Sequence, residues 1–237
     1  MEIKKLLSFP YIVLVVFEFI VGLVSILIHK PTLYVYLLLN KIKRGNGELI
    51  VCIPGFGAND LTMWLMAQSL RSLGYNASTW GLGFNNGRIF DRERYIVPVL
   101  ELLSALHNQK VTLVGSSLGG VDARYLATKY PHLIRQIITL GSPTQHNPVH
   151  NFLPEWFKEW LHKQIQHDLT NGIQVIPEEI PITAVRGALD CIVFGDNASF
   201  PEDVVKESDQ LENTTVKTSH YGLVSSIPVL KIITDRI

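Results

Sequence analysis

Ten residues, Val111-Thr112-Leu113-Val114-Gly115-Ser116-Ser117-Leu118-Gly119-Gly120, constrain this chain more than any others. Val111 to Val114 is a short apolar, β-branched run of the kind buried on both faces of a parallel sheet, and Val121 to Tyr130, stopping before Pro131, suits a helix. Between them, G-x-S-x-G reads as a strand, a sharp turn and a helix. A serine on such a turn is forced into a strained backbone conformation, so the residues two before and two after it must lack bulky side chains where the chain doubles back. Gly115 and Gly119 meet that demand. The bare pattern is common; the strand before it and the helix after it give it meaning.

The rest of the chain alternates around this unit. Glu48 to Pro54 supplies a first core strand. Asn59 or Asp60 can cap a helix running to Leu73 and stopped by Gly74, and Asn76 to Trp80 is a second strand. A helix from Asp91 to Asn108 leads into the elbow strand. Gln136 to Leu140, Ile182 to Arg186 and Thr214 to Lys217 are further strands, and Tyr221 to Ile237 is a closing helix. Such alternation predicts an α/β fold: a doubly wound, mostly parallel sheet with helices on both faces. At 237 residues there is room for one such domain. Gly45-Asn46-Gly47 marks a boundary, dividing an N-terminal hydrophobic segment, 1–47, from the α/β domain, 48–237.

Gly115 to Pro143, GSSLGGVDARYLATKYPHLIRQIITLGSP, resembles the elbow, following helix and next strand of α/β-hydrolase lipases and esterases, particularly bacterial triacylglycerol lipases. Those enzymes usually carry His where Ser116 stands. The resemblance implies a serine hydrolase that cleaves carboxylic esters of lipids or other acyl groups through an acyl-enzyme. An acyltransferase using the same residues, or a non-catalytic binding protein of the same fold, are the alternatives.

A serine hydroxyl needs a base within reach and an acid to orient that base. In this fold the chain order is Ser, then Asp or Glu, then His. Ser117 is the expected nucleophile. His220 alone among the histidines lies beyond the last predicted strand; His29, His107, His132, His146, His150, His162 and His167 read as surface or packing residues. Asp190 follows the strand Ile182 to Arg186 at a carboxyl end of the sheet, where sites of doubly wound folds form, in an Asp190-Cys191-Ile192-Val193 setting like that of the similar lipases. Asp196, Asp203 and Asp209 are its rivals. Pro54-Gly55-Phe56-Gly57 stands where those lipases carry His-Gly and an oxyanion-hole residue, which assigns the backbone N–H groups of Phe56 and Leu118 to the oxyanion. No carboxylate follows His220 in Tyr221 to Ser226, so the calcium ion of many such lipases is not expected, and neither is any other metal or cofactor.

Lysine plus arginine and aspartate plus glutamate number 21 each, leaving no electrostatic case for nucleic acid. Cys52 and Cys191 have neither metal-ligand spacing nor the density of a disulfide scaffold, and read as buried thiols. The glycine-rich loop Gly81 to Gly87 lacks a following Lys-Ser/Thr and is no phosphate cradle. Leu6 to Ile28 is long and apolar enough to span a bilayer, against the cost of Glu18 near its middle. It predicts a membrane anchor of undecided orientation, with a cleaved signal peptide and a helix docked on the protein as rivals. Pro31 to Arg44 predicts a second helix. Finally, about 143–180 interrupts the alternation. Trp156, Phe157 and Trp160 share a helical face there, which predicts either a lid that binds the acyl chain or a helix packed on the core.

Overall fold

Leu49–Ile53 (β1), Asn76–Thr79 (β2), Val111–Ser116 (β3), Ile134–Leu140 (β4), Ile182–Gly187 (β5) and Leu211–Val216 (β6) pair into one sheet in the order β2-β1-β3-β4-β5-β6. All five pairings are parallel. The computed structural model describes residues 9–39, 41–144, 159, 176–177 and 179–237. Every residue of β1 and β3 is buried, in keeping with the unbroken apolar run of β1 and the mostly apolar run of β3, as in strands covered on both faces. The chain moves outward from β1 to β2, then returns to the other side of β1 as β3. In doubly wound sheets such a reversal marks where ligands bind, beyond the carboxyl ends of the strands, here β1 and β3.

Helices cover both faces, as the alternation predicts. Asp60–Ser72 (α2) and Ile227–Arg236 (α6) bury Met63, Met66, Leu70, Leu230 and Ile233 on one face. Ile89–His107 (α3) and Leu118–Lys129 (α4) bury Ile96, Leu100, Ala123 and Leu126 on the other, and a short helix, Glu202–Lys206 (α5), precedes β6. Asn59 caps α2, its Oδ1 accepting from the Leu61 N–H at 3.0 Å. The carboxylate of Asp60 accepts from the N–H groups of Gly81 and Gly83 at 2.9 and 2.8 Å, so the glycine-rich loop is closed by the protein's own anion. The closing helix starts at Ile227 rather than Tyr221, because Pro228 in its first turn suits a helix start and the residues before it form turns.

The N-terminal segment departs from expectation. One continuous helix, Phe9–Leu38 (α1), runs through Pro31, where a break and a second helix were expected. An interior proline costs about 3 kcal/mol, but contacts on both sides of it offset that. Before it, His29 is buried between Ser225 and Ser69; after it, Leu33, Tyr36 and Leu37 pack on the core shared by α2 and α6. The stretch Val16–Leu38, mean hydropathy 1.6, is long and apolar enough to cross a membrane. Its outer face stays open: Phe19 and Leu27 are 65% and 68% exposed. Most of 143–180 lies outside the described residues, Trp156, Phe157 and Trp160 included.

Candidate active site

Ser117 sits between β3 and α4 with φ 51° and ψ −122°, and it shares positive φ with Asn108 alone among the described non-glycine residues. Asn108 caps the end of α3, a usual place for that conformation; Ser117 does not have that excuse. The neighbouring glycines are obligatory. A Cβ on Gly115 would stand 2.3 Å from the Gly119 carbonyl oxygen, and one on Gly119 would stand 2.4 Å from that of Ile53. The Ser117 N–H donates to the Leu140 carbonyl at 2.8 Å, tying the elbow to the end of β4.

Asp190 follows β5 and is buried. Its Oδ1 accepts from the N–H groups of Ile192 and Val193, both at 2.8 Å, which leaves Oδ2 aimed at His220 Nδ1, 2.7 Å away. With Nδ1 donating to Asp190, Nε2 is the basic nitrogen of the ring. Both groups crowd Gly141: a Cβ there would lie 2.9 Å from Asp190 Oδ2 and 3.0 Å from His220 Nδ1. Gly141 follows Leu140, whose carbonyl holds Ser117. Three residues separated by up to 103 positions thus gather about one dipeptide. Of the rival acids, Asp196 pairs with Arg186, and Asp203 and Asp209 are exposed.

Burial opposes a charge on His220, but the carboxylate of Asp190, through its charge and its hydrogen bond, and the charge of Glu18 outweigh it. The imidazole pKa is raised above its ordinary 6.5. Burial and the same two carboxylates raise the pKa of the Cys191 thiol.

The loop after β1 lies beside the elbow. A Cβ on Gly55 would come within 3.0 Å of Ser117 Cβ and 3.7 Å of its Oγ, so Phe56 begins next to the nucleophile. Leu118 opens α4, where first-turn N–H groups have no intrahelical acceptor. Asn85, read from sequence only as part of a glycine-rich loop, holds the β1 loop in place. Its side-chain amide donates to the Pro54 carbonyl at 2.9 Å and to Asp122 Oδ2 at 2.7 Å. Its main chain exchanges bonds with Gly57 and Ala58 at 2.7 and 2.8 Å. Glu18 is the second residue missed: fully buried, it reaches both the Asp190 and the His220 loops. A signal was there. Glu18, Gly22, Ser25 and His29 interrupt the apolar run at spacings of four, three and four, the period of one helical face.

The sequence model for the alpha/beta hydrolase fold matches residues 49–180. The chain is 31% identical over 105 residues to a triacylglycerol lipase of Pseudarthrobacter phenanthrenivorans, covering 43% of this chain and 33% of the lipase. It is equally identical over 105 residues to one of Burkholderia plantarii, covering 43% and 29%. The match thus spans about a third of the length of these relatives. In fold it is similar to the monoacylglycerol lipase of Paleococcus ferrophilus, with a TM-score of 0.58 and 12% identity over 83% of this chain and 97% of that one. A family match over more than half of the sequence coincides with a parallel sheet of this order and a serine at its elbow: the chain belongs to the alpha/beta hydrolase fold family.

Proposed function

We propose that this protein is a serine hydrolase that cleaves carboxylic esters of lipid-like acyl groups. The observation that carries the reading is the convergence of a strained Ser117 and a buried Asp190–His220 pair on Leu140–Gly141. In this reading Ser117 Oγ attacks the acyl carbonyl while His220 Nε2 takes its proton. His220 then gives that proton to the leaving alkoxide as the acyl-enzyme forms. Water, deprotonated by the same nitrogen, releases the acid and restores the serine. Asp190 stays ionised and holds the ring. The oxyanion is received by the backbone N–H groups of Phe56 and Leu118, a contribution of about 3–4 kcal/mol per donor. Neither donor depends on a side chain, so Pro54 in the place of His leaves the hole intact.

The substrate class rests on the similarity to the lipases and on α1. A row of exposed apolar side chains, Phe19, Ile20, Leu23 and Leu27 among them, lines the outer face of a helix whose inner face touches the His220 loop. Seated in a lipid surface, that face would hold the site near its substrate.

The test is labelling of the full chain by a fluorophosphonate, followed by hydrolysis of p-nitrophenyl esters of increasing acyl length with and without competing alcohols. Labelling at Ser117 and release of free acid support the reading. Transfer of the acyl group to the alcohol in preference to water makes the protein an acyltransferase, and absence of labelling refutes the nucleophile.

A further inference from the structure

A carboxylate in the middle of an apolar helix is costly to bury, and the inner stripe of α1 shows what it is for. Three members of the stripe fix the helix against the segment that follows His220. Gly22 allows close approach, since a Cβ there would lie 2.8 Å from Tyr221 Cβ. Ser25 Oγ donates to the Gly222 carbonyl at 3.4 Å. His29 bridges the Ser225 carbonyl and Ser69 Oγ, both at 2.6 Å. The fourth, Glu18, has no exposed surface. Its Oε1 accepts from the Cys191 N–H at 2.6 Å, one residue after Asp190. Its Oε2 accepts from the Tyr221 N–H at 3.4 Å, one residue after His220, and its main-chain carbonyl accepts from Ser219 Oγ, also at 3.4 Å, one residue before His220. Each carboxylate oxygen therefore serves a different loop, and each loop carries one half of the acid–base pair.

We propose that Glu18 is a positioning residue: from α1 its carboxylate clamps the Asp190 loop to the His220 loop, so that the N-terminal helix is a working part of the active site. The proposal rests on the serine-hydrolase reading for its catalytic meaning, but the clamp itself is a matter of geometry. The groups facing His220 are the carboxylate of Asp190 from the loop after β5, the carboxylate of Glu18 from α1, the Cys191 thiol beside Asp190 and the adjoining Tyr221, whose ring centroid is 5.9 Å away. Glu18 thus places negative charge near the imidazole as well as holding its loop.

Two variants of the full chain in detergent separate positioning from packing. Glu18→Gln is nearly isosteric; it can still accept from Cys191 but presents an amide donor to the Tyr221 N–H and carries no charge. Glu18→Ala removes both bonds. We expect Glu18→Ala to slow fluorophosphonate labelling of Ser117 and ester kcat by about 10- to 100-fold with KM little changed, and Glu18→Gln to fall between it and wild type. The midpoint of the pH–rate profile should move down in both, since a negative neighbour is lost. Wild-type labelling rates and an unmoved midpoint in both variants would reduce α1 to a packing element and overturn the clamp. Should Glu18→Ala not fold, Glu18→Gln decides alone. The His220 titration, followed through its imidazole proton resonances, reads the clamp without turnover. A lowered midpoint in Glu18→Gln supports it even if the wild type proves inert toward esters, in which case the hydrolase reading fails by itself; an unchanged midpoint sinks the clamp whatever the activity.

Discussion

Asn85 and Asp122 meet in the interior with amide Nδ2 2.7 Å from carboxylate Oδ2, and the same nitrogen holds the carbonyl of Pro54 at 2.9 Å. A side chain from the loop after β2 thereby joins the elbow helix to the loop proposed to receive the oxyanion. Asn85→Ala removes a donor from a buried carboxylate and from a buried carbonyl, and should cost about 1–3 kcal/mol of stability. Because the Phe56 N–H would be freed to move, kcat should fall more than KM rises. Denaturant unfolding and steady-state kinetics measure the two effects. A destabilised variant with unaltered kcat would show that the loop needs no such brace.

Ser117→Ala should abolish labelling and lower ester turnover by at least about a thousandfold, with the thermal midpoint kept or raised. A positive-φ site is strained for either residue, so the fold has no stake in the hydroxyl itself. Turnover that survived the substitution would rule out Ser117 as nucleophile.

The pH dependence follows from the His220 environment. Only the neutral ring can take the serine proton, so kcat/KM should rise with pH through an apparent pKa above the ordinary imidazole 6.5. Stability runs the other way. The folded ring holds its proton more tightly than the unfolded one, so this contribution is complete below 6.5 and is lost as pH climbs through the higher folded value. Asp190→Asn removes the leading charge, should lower the kinetic midpoint and should cost about 10⁴-fold in kcat, the loss seen when a triad aspartate becomes asparagine. A rate independent of pH across this range, with chemistry limiting, would exclude His220 as the base.

Gly119→Ala tests the elbow by steric means. The added methyl would press on the carbonyl oxygens of Ile53 and Pro54, at 2.4 and 2.6 Å, and backbone cannot rotate aside as a side chain can. We expect a loss of about 3 kcal/mol or more, read as a lower thermal midpoint and poor folded yield. Wild-type stability would mean that the β3–α4 turn is looser than described.

Chain-length preference is the readout for Trp156 and Trp160, which lie outside the described residues. Each buried methylene is worth up to about 0.8 kcal/mol, so the acyl-binding role expected of them from sequence predicts that longer esters are favoured over acetyl by orders of magnitude. Trp156→Ala with Trp160→Ala should flatten that preference and spare acetyl turnover. Parallel loss of stability and of all activities would assign the pair to the core.

What could be read from sequence was what is local or ordered along the chain. Gly115 and Gly119 bracket Ser117 within five residues, and the strand and helix periods on either side announce the turn. His220 and Asp190, which the structure pairs, could be singled out by their order after it. For Glu18 the polar stripe on one helical face was legible but not the loops it reaches, the nearer 173 residues away, and for Asn85 no local rule linked it to partners 31–37 residues away. Pro31 misled for a related reason. Its local cost is real, but the contacts of His29 and Tyr36 that outweigh it belong to the tertiary structure.

The reach of Glu18 also sets an order of events during synthesis. The helix emerges well before the loops it reaches, and its bonds to Cys191 and Tyr221 close loops of 173 and 203 residues, so they form only after those residues have been made. Until then Glu18 stands without these partners on a long apolar helix, and contacts of such long range form slowly and leave apolar surface open to capture by a membrane or a chaperone. The Asp190–His220 pair lies on the far side of those loops, so a chain released before His220 would carry the elbow serine without its proposed base.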